Sequence, residues 1–181
     1  MPKILPLRDY DEHDVVNFYT WSGTVPANAG TVVNVGGSGY TTDNLTAQLL
    51  GSVEQAYANT VSERFGVYPY VQQANSGDNV LGILLYDVRE TDENGEKLIF
   101  HPQKAKENNW AISGQAVPVL TRGVVMFSGI IEAVTPGAPL YVSGGSLTPT
   151  AGAGGAAIKV GKALGNKDAH GWCLVQINPE L

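Results

Sequence analysis

Residues 115–149 read QAVPVLTRGVVMFSGIIEAVTPGAPLYVSGGSLTP and establish the class of the fold. Short runs rich in Val and Leu are separated by Gly- and Pro-containing turns at Thr135–Pro139 and Ser143–Gly145. β-branched and aromatic residues favour strands, whereas Gly and Pro end them. Short strands at this close spacing are typical of a small β-barrel or sandwich.

The flanking sequence continues the β pattern in both directions. Val67–Gln72 and Val80–Val88 are strand-like, and Asn94-Gly95 predicts a two-residue hairpin because both residues accept a positive φ. On the C-terminal side, Ala156–Leu164 and Trp172–Ile177 predict two more strands. No β-α-β alternation is visible, which disfavours a doubly wound sheet. We therefore predict a mainly β fold, a small β-barrel or sandwich.

One α-helix is predicted at about residues 42–62. Its first turn can be capped by the side-chain oxygen of Thr42 or Asp43. Its apolar residues recur at three- and four-residue steps and form one stripe: Leu45, Leu49, Val53, Ala56, Tyr57 and Val61.

The first 30 residues have no sustained periodicity and are predicted to form an extended arm. Residues 31–181 are then a single β-rich domain. Phe18, Tyr19 and Trp21 lie within the arm, and large aromatic side chains must be buried on the chain itself or on a neighbour.

Four aromatic residues are the candidate anchors for a partner: Phe18, Tyr19, Trp21 and Trp110. Trp110 lies, like Trp21, in a segment of irregular pattern. Buried aromatic side chains dominate the energetics of interfaces, which is why we expect partner contacts there. Trp172 begins the last predicted strand and is expected in the core.

Composition disfavours several classes of protein. The net charge is -6 and the pI about 4.9, whereas nucleic-acid binding requires clustered Lys and Arg. A single cysteine, Cys173, cannot form an intrachain disulfide and lies in an apolar run that predicts burial. No apolar run approaches the roughly 20 residues of a membrane span, and residues 1–6 lack the core of a signal peptide.

No arrangement of residues predicts catalysis, a cofactor site or a metal site. The cluster Asp9–Asp14 contains oxygen ligands and His13 but lacks the spacing of a calcium loop, which favours solvated or partner-facing charge. His13, His101 and His170 are far apart in sequence, and no Gly-x-Ser-x-Gly elbow presents a serine. The carboxylates of Asp87–Glu96 can in principle supply a glycosidase pair, but they flank a predicted turn where charge is normally solvated.

The stretch from Gly114 to Ile177 resembles the barrel of the head decoration (cement) proteins of tailed bacteriophages. The resemblance covers about a third of the chain and lies in the order of its segments: Ala116–Val125, Pro136-Gly137, Pro139–Val142, Gly144–Thr148, Lys159–Leu164 and a final strand.

This resemblance implies a structural virion protein that binds the outer capsid surface and bridges capsid subunits. Its partners are then the major capsid protein and further copies of itself, as a homotrimer, without nucleic acid or membrane. The protein is expected to be made in the host cytoplasm and to reside on the virion. A phage tail or fibre component, or a carbohydrate-binding module that uses Trp21 or Trp110, is the alternative.

Overall fold

A computed structural model describes residues 3–7, 9–11, 13–37, 39, 69–152 and 158–179, which form thirteen strands, one α-helix and one 3-10 helix. The strands are β1 (Ile4–Pro6), β2 (Val15–Trp21), β3 (Val32–Val35), β4 (Tyr70–Gln73), β5 (Val80–Leu84), β6 (Asp87–Arg89), β7 (Trp110–Ile112), β8 (Ala116–Leu120), β9 (Gly123–Phe127), β10 (Pro139–Ser143), β11 (Ser146–Thr148), β12 (Lys159–Ala163) and β13 (Cys173–Ile177). The 3-10 helix is Leu98–Phe100 and α1 is Pro102–Glu107. The fold is mainly β, as the sequence predicts.

Most strands belong to two large sheets. Strands β2-β4-β3-β5-β8 form a closed barrel, in which only the β2–β4 pair is parallel. Strands β1-β9-β13-β12-β10-β11 form an antiparallel six-stranded sheet, and β6 and β7 form a small parallel pair. Closure of the barrel leaves no free strand edge there, so edge-to-edge pairing with another chain is not available to it.

The six-stranded sheet packs one face against the barrel. Successive side chains of a strand point to opposite faces, and the inward set includes the fully buried Phe127 and Val175. These residues share one hydrophobic cluster with Ile83 and Leu120 of the barrel. Each such side chain contributes about 1.5–3 kcal/mol through burial. The shared core fixes the inward face of the sheet, and the opposite face points away from the barrel.

The N-terminal segment is extended, but it is built into both sheets instead of forming a separate arm. β1 pairs with β9, with Leu5 opposite Met126, and β2 pairs with both β4 and β8. The boundary predicted at residue 30 is therefore wrong as a structural boundary. Backbone hydrogen bonding over long sequence separations, which local patterns do not reveal, places this segment.

The hairpin predicted at Asn94-Gly95 needs correction. The turn at Asp92–Glu96 is present, with a bridge between Thr91 and Lys97. The chain then enters the 3-10 helix and α1, whereas a hairpin would continue directly into a second strand. The predicted helix at 42–62 lies outside the described residues. No helix in the described part of the chain is long and apolar enough to cross a membrane.

Candidate docking surfaces

Phe18 is the predicted anchor that the structure leaves most exposed. It lies at a bulge in β2, where the register with β8 shifts between Val16 and Tyr19. A bulge adds a residue to one strand and re-aims its side chains. Asn17 and Phe18 are consecutive exposed residues there, and Phe18 is 64% exposed.

Trp21 is buried in the chain's own core, so its assignment as a partner anchor is wrong. It is only 8% exposed and belongs to the barrel cluster, which also contacts the half-buried Tyr19. The indole N–H donates a hydrogen bond to the carbonyl oxygen of Thr24 at 3.1 Å, and Gly23 lies directly against the ring. Burial on the barrel satisfies this aromatic residue without a neighbour.

Trp110 is half-buried and lies in β7, not in an irregular segment. The guanidinium carbon of Arg89 is 5.6 Å from the centroid of its ring, within the range of a cation–π contact. Arg89 is held in turn by Asp87, with 2.9 Å between Nη2 and Oδ2. This contact within the chain engages part of the Trp110 ring.

A groove, here called the aromatic groove, runs beside the bulge of β2. It consists of two depressions of about 590 and 650 Å³ that share Asn17, Tyr86, Asn109 and Pro118. Trp110 lines the second depression, and Tyr86 is 40% exposed. Asn17 directly precedes Phe18 in β2, so the groove begins next to the bulge that exposes Phe18.

The outward face of the six-stranded sheet carries an apolar row that the sequence did not reveal. Leu5 lies opposite Met126, and Met126 lies opposite Leu174. The Leu164 N–H donates to the Leu174 carbonyl oxygen at 2.7 Å, which continues the row onto the end of β12. We call Leu5, Met126, Leu174 and Leu164 the apolar row.

The apolar row points to solvent because its strand neighbours point inward. Val125, Val175 and Ala163 are fully buried, so residues one position away lie on the opposite face. Leu5 is 55% and Leu164 39% exposed. Trp172 is half-buried two residues before Leu174 and was expected in the core. Contiguous apolar surface of this kind marks interaction sites in soluble proteins.

The acidic stretch Asp87–Glu96 contains several ion pairs. Lys104 Nζ lies 2.7 Å from Asp92 Oδ2 and 2.8 Å from Glu93 Oε2, and these hydrogen bonds lower the pKa of both carboxyls. The same two carboxylates raise the pKa of Lys104. The remaining carboxylates of this stretch lie near basic side chains: Asp87 is 2.9 Å from Arg89, Glu90 is 3.6 Å from Lys97 and Glu96 is 3.5 Å from His101. Asp92 and Glu93 thus share Lys104, and Asp87 and Glu90 each have a basic partner of their own.

The histidines lie in separate surface positions. His13 is 3.5 Å from Asp11 and His101 is 3.5 Å from Glu96, each with an exposed side chain. His170 lies in an exposed turn, where its backbone N–H donates to Asp168. Within the described ranges, no three side chains of His, Cys, Asp or Glu converge on a possible metal position.

Cys173 is a buried thiol on β13. It is 1% exposed, and burial raises its pKa. The thiol contacts the Gly165 carbonyl oxygen, with 3.2 Å between Sγ and oxygen. A protonated, buried thiol is a poor nucleophile and acts as a small apolar side chain.

The geometry thus presents two surfaces suited to protein contact: the apolar row on the sheet, and Phe18 with the aromatic groove on the barrel. A scan against protein-family models and a search of curated proteins both found no match for this chain.

Proposed function

We propose that this chain is a structural protein of a virus particle that binds the outer surface of the assembled capsid and bridges capsid subunits. The observation that carries the proposal is the apolar row on the outward face of the six-stranded sheet. The partners under this proposal are the major capsid protein and further copies of the chain, as a homotrimer. The protein is made in the host cytoplasm and resides on the capsid surface.

The apolar row supplies the energy that docking requires. Fully burying a Leu or Met side chain is worth about 1.5–3 kcal/mol, and these four are already partly covered. Docking therefore gains about 1 kcal/mol for each of them, against the entropic cost of association. A single contact of this size is weak, but a lattice repeats it, and linked contacts raise the overall affinity.

Bridging requires contact with two neighbours, and the chain exposes apolar surface on two different elements. The row lies on the six-stranded sheet, while Phe18 lies on strand β2 of the barrel. Because the two sheets share a rigid core, a force applied at one surface is transmitted to the other. Such a layout suits a clamp between subunits.

The resemblance to decoration proteins supports the same function. It spans Gly114 to Ile177 and so includes strands β8 to β13. This part of the chain contains most of the apolar row and strand β8, which pairs with the strand that carries Phe18. The net charge of -6 favours a protein partner over the nucleic acid inside a capsid.

The test is binding to shells of the virus that encodes the chain. Purified protein is mixed with expanded and with unexpanded empty shells, the shells are sedimented, and bound protein is quantified. We expect binding to expanded shells only, and a trimeric mass for the free protein by native mass spectrometry.

The Leu174→Ser variant tests whether the apolar row takes part in docking. The matched control is Gln176→Ser, which changes another outward position of β13 without removing an apolar side chain. Equal binding by Leu174→Ser and the unmutated protein would remove the row from the interface, and no binding to either type of shell would refute the proposed function.

A further inference from the structure

A cleft separate from both docking surfaces opens where the barrel meets the six-stranded sheet. It has a volume of about 490 Å³, within the usual range of small-ligand sites. Its walls are the loop after β2, the end of β4 and the turn between β10 and β11. We call it the amide cleft, and the residues that line it are Trp21, Gly23, Thr24, Pro26, Ala27, Asn28, Thr31, Gln72, Gln73, Asn75, Gly144 and Gly145.

The wall formed by the β10–β11 turn is fixed by the backbone. The Gly145 N–H donates to the Ala74 carbonyl oxygen at 2.8 Å, and the Gly145 carbonyl accepts from the Val32 N–H at 2.9 Å. Gly145 has φ +74°, and a Cβ there would lie 2.8 Å from Gln73 Cγ. The positive φ and the close contact both favour glycine here, and the two hydrogen bonds hold the turn against β3 and the end of β4.

The opposite walls are equally anchored. The Thr31 hydroxyl and N–H both donate to the Asn28 carbonyl oxygen, at 2.8 and 3.2 Å. The Asn75 N–H donates to Asp78 at 2.8 Å, and Asp78 also accepts from the Asn34 amide at 3.1 Å. A preformed cleft binds a ligand without the cost of ordering its walls.

The described lining of the cleft is polar and uncharged. None of the described residues that line it is acidic or basic, although charged residues make up 15% of the chain. Four side-chain amides face the cleft, and each amide carries both donors and an acceptor. Across the described ranges, the side-chain amides of Gln72, Gln73 and Asn75 form no hydrogen bond within the protein, so their capacity is available to a ligand.

We propose that the amide cleft binds a neutral saccharide. Each sugar hydroxyl both donates and accepts hydrogen bonds, and so does each side-chain carboxamide, so the two kinds of group can pair with one another. Among the described lining residues there is no Lys or Arg, which disfavours phosphates and acidic sugars, and no Asp or Glu, which disfavours cations. Trp21 and Pro26 supply apolar wall for the C–H groups of a sugar ring. This site differs from ring stacking on an exposed tryptophan, because Trp21 is 92% covered.

The experiment uses the full chain and defined probes. A glycan array carrying neutral and sialylated oligosaccharides is screened first, and the strongest neutral binder is then titrated while side-chain amide and indole signals are followed by NMR. We expect neutral glycans to bind, with shifts confined to the side-chain signals of Asn28, Gln72, Gln73, Asn75 and Trp21. The shift map locates the site on the unmutated protein and does not depend on any variant folding.

Gln72→Ala and Asn75→Ala then test the amides, since both side chains are exposed and contribute little to folding. We expect each to weaken binding of the probe about fivefold to tenfold, as the loss of one hydrogen bond implies. The matched control is Gln115→Ala, an amide that lines the aromatic groove, and it should leave the affinity unchanged.

Three outcomes would overturn the proposal: no neutral glycan bound, preference for sialylated glycans, or shifts located outside the cleft. Binding of an extended peptide at the cleft in place of sugars would overturn it as well. Shell binding is a separate readout: Leu174→Ser should retain saccharide binding, so the two proposals can fail independently.

Discussion

Two neighbouring residues of β13 provide opposite tests of the structure. Val175 points inward and is fully buried, whereas Leu174 points outward in the apolar row. Val175→Ala removes two methyl groups at about 0.8 kcal/mol each and leaves a small cavity, for a loss of about 2 kcal/mol of unfolding free energy. For a chain of this length, such a loss lowers the Tm by about 4–8 °C.

Leu174→Ser should have little effect on stability and a larger effect on docking. Its cost to stability is limited to cross-strand contacts with Met126 and Leu164, below about 1 kcal/mol. In docking, the variant loses the free energy of burying the part of the leucine side chain that is exposed in the free protein. This loss is about 1–1.5 kcal/mol, or roughly a tenfold weaker affinity per contact.

The assays are thermal unfolding for stability and sedimentation with expanded shells for docking. Val175→Ala should lower the Tm and, at temperatures where it is folded, bind as the unmutated protein does. A Leu174→Ser variant that unfolds as early as Val175→Ala would refute the assignment of inward and outward faces. Unchanged shell binding by Leu174→Ser would refute the role of the row.

Three further predictions concern local features of the fold. Gly145→Ala should cost about 1–3 kcal/mol in chemical denaturation, and more than Gly77→Ala, which has φ +92° but open space around it; equal losses would show that contact with Gln73 is unimportant. Native Cys173 should react with an alkylating reagent far more slowly than in denaturant, because burial raises its pKa and shields it; equal rates would contradict its burial. Lys104 lowers the pKa of Asp92, so the ion pair stabilises the fold at pH values above the ordinary carboxyl pKa of 3.8, and this stabilisation is lost as the pH falls through the lower pKa of the folded state. The difference in unfolding free energy between Asp92→Asn and the unmutated protein should therefore shrink in acid. A difference that stays constant with pH would contradict the ion pair.

Local patterns predicted the strands well where Gly and Pro turns bound them. Residues 115–149 contain four strands, β8 to β11. The predicted turns at Thr135–Pro139 and Ser143–Gly145 lie at the boundaries of β10 and β11, but the break between β8 and β9 at Thr121–Arg122 was not predicted. The segment Gly129–Val134 contains Ile130, Ile131 and Val134 and so has the composition of a strand, yet within it only Ile130 forms a bridge, with Leu147. Ile130 is buried by the core, so its apolar character reflects packing and not sheet pairing. Propensity cannot separate these two causes.

Long-range pairing was beyond local patterns. Nothing near Ile4–Pro6 indicates that it joins β9, more than a hundred residues away, or that β2 closes a barrel. The placement of Trp21 depends on that closure, which is why a residue expected at an interface lies in the core. Phe18 is exposed because a bulge in β2 turns its side chain away from the same barrel.

The apolar row was missed for a related reason. In β9 and β13, apolar residues occupy both faces, and such runs are read from sequence as strands covered on both sides. Only the fold shows that Met126 and Leu174 share an uncovered face with Leu5. The amides of the cleft gave no sequence signal either, because Asn28 comes from a segment far in sequence from Gln72, Gln73 and Asn75.

The most direct test of the central claim is a cryo-EM reconstruction of expanded shells saturated with the protein. We predict that the outward face of the six-stranded sheet lies against a neighbouring subunit, with Leu5, Met126, Leu174 and Leu164 buried in the contact. A reconstruction in which this row faces solvent while the protein is bound by other surfaces would contradict the claim.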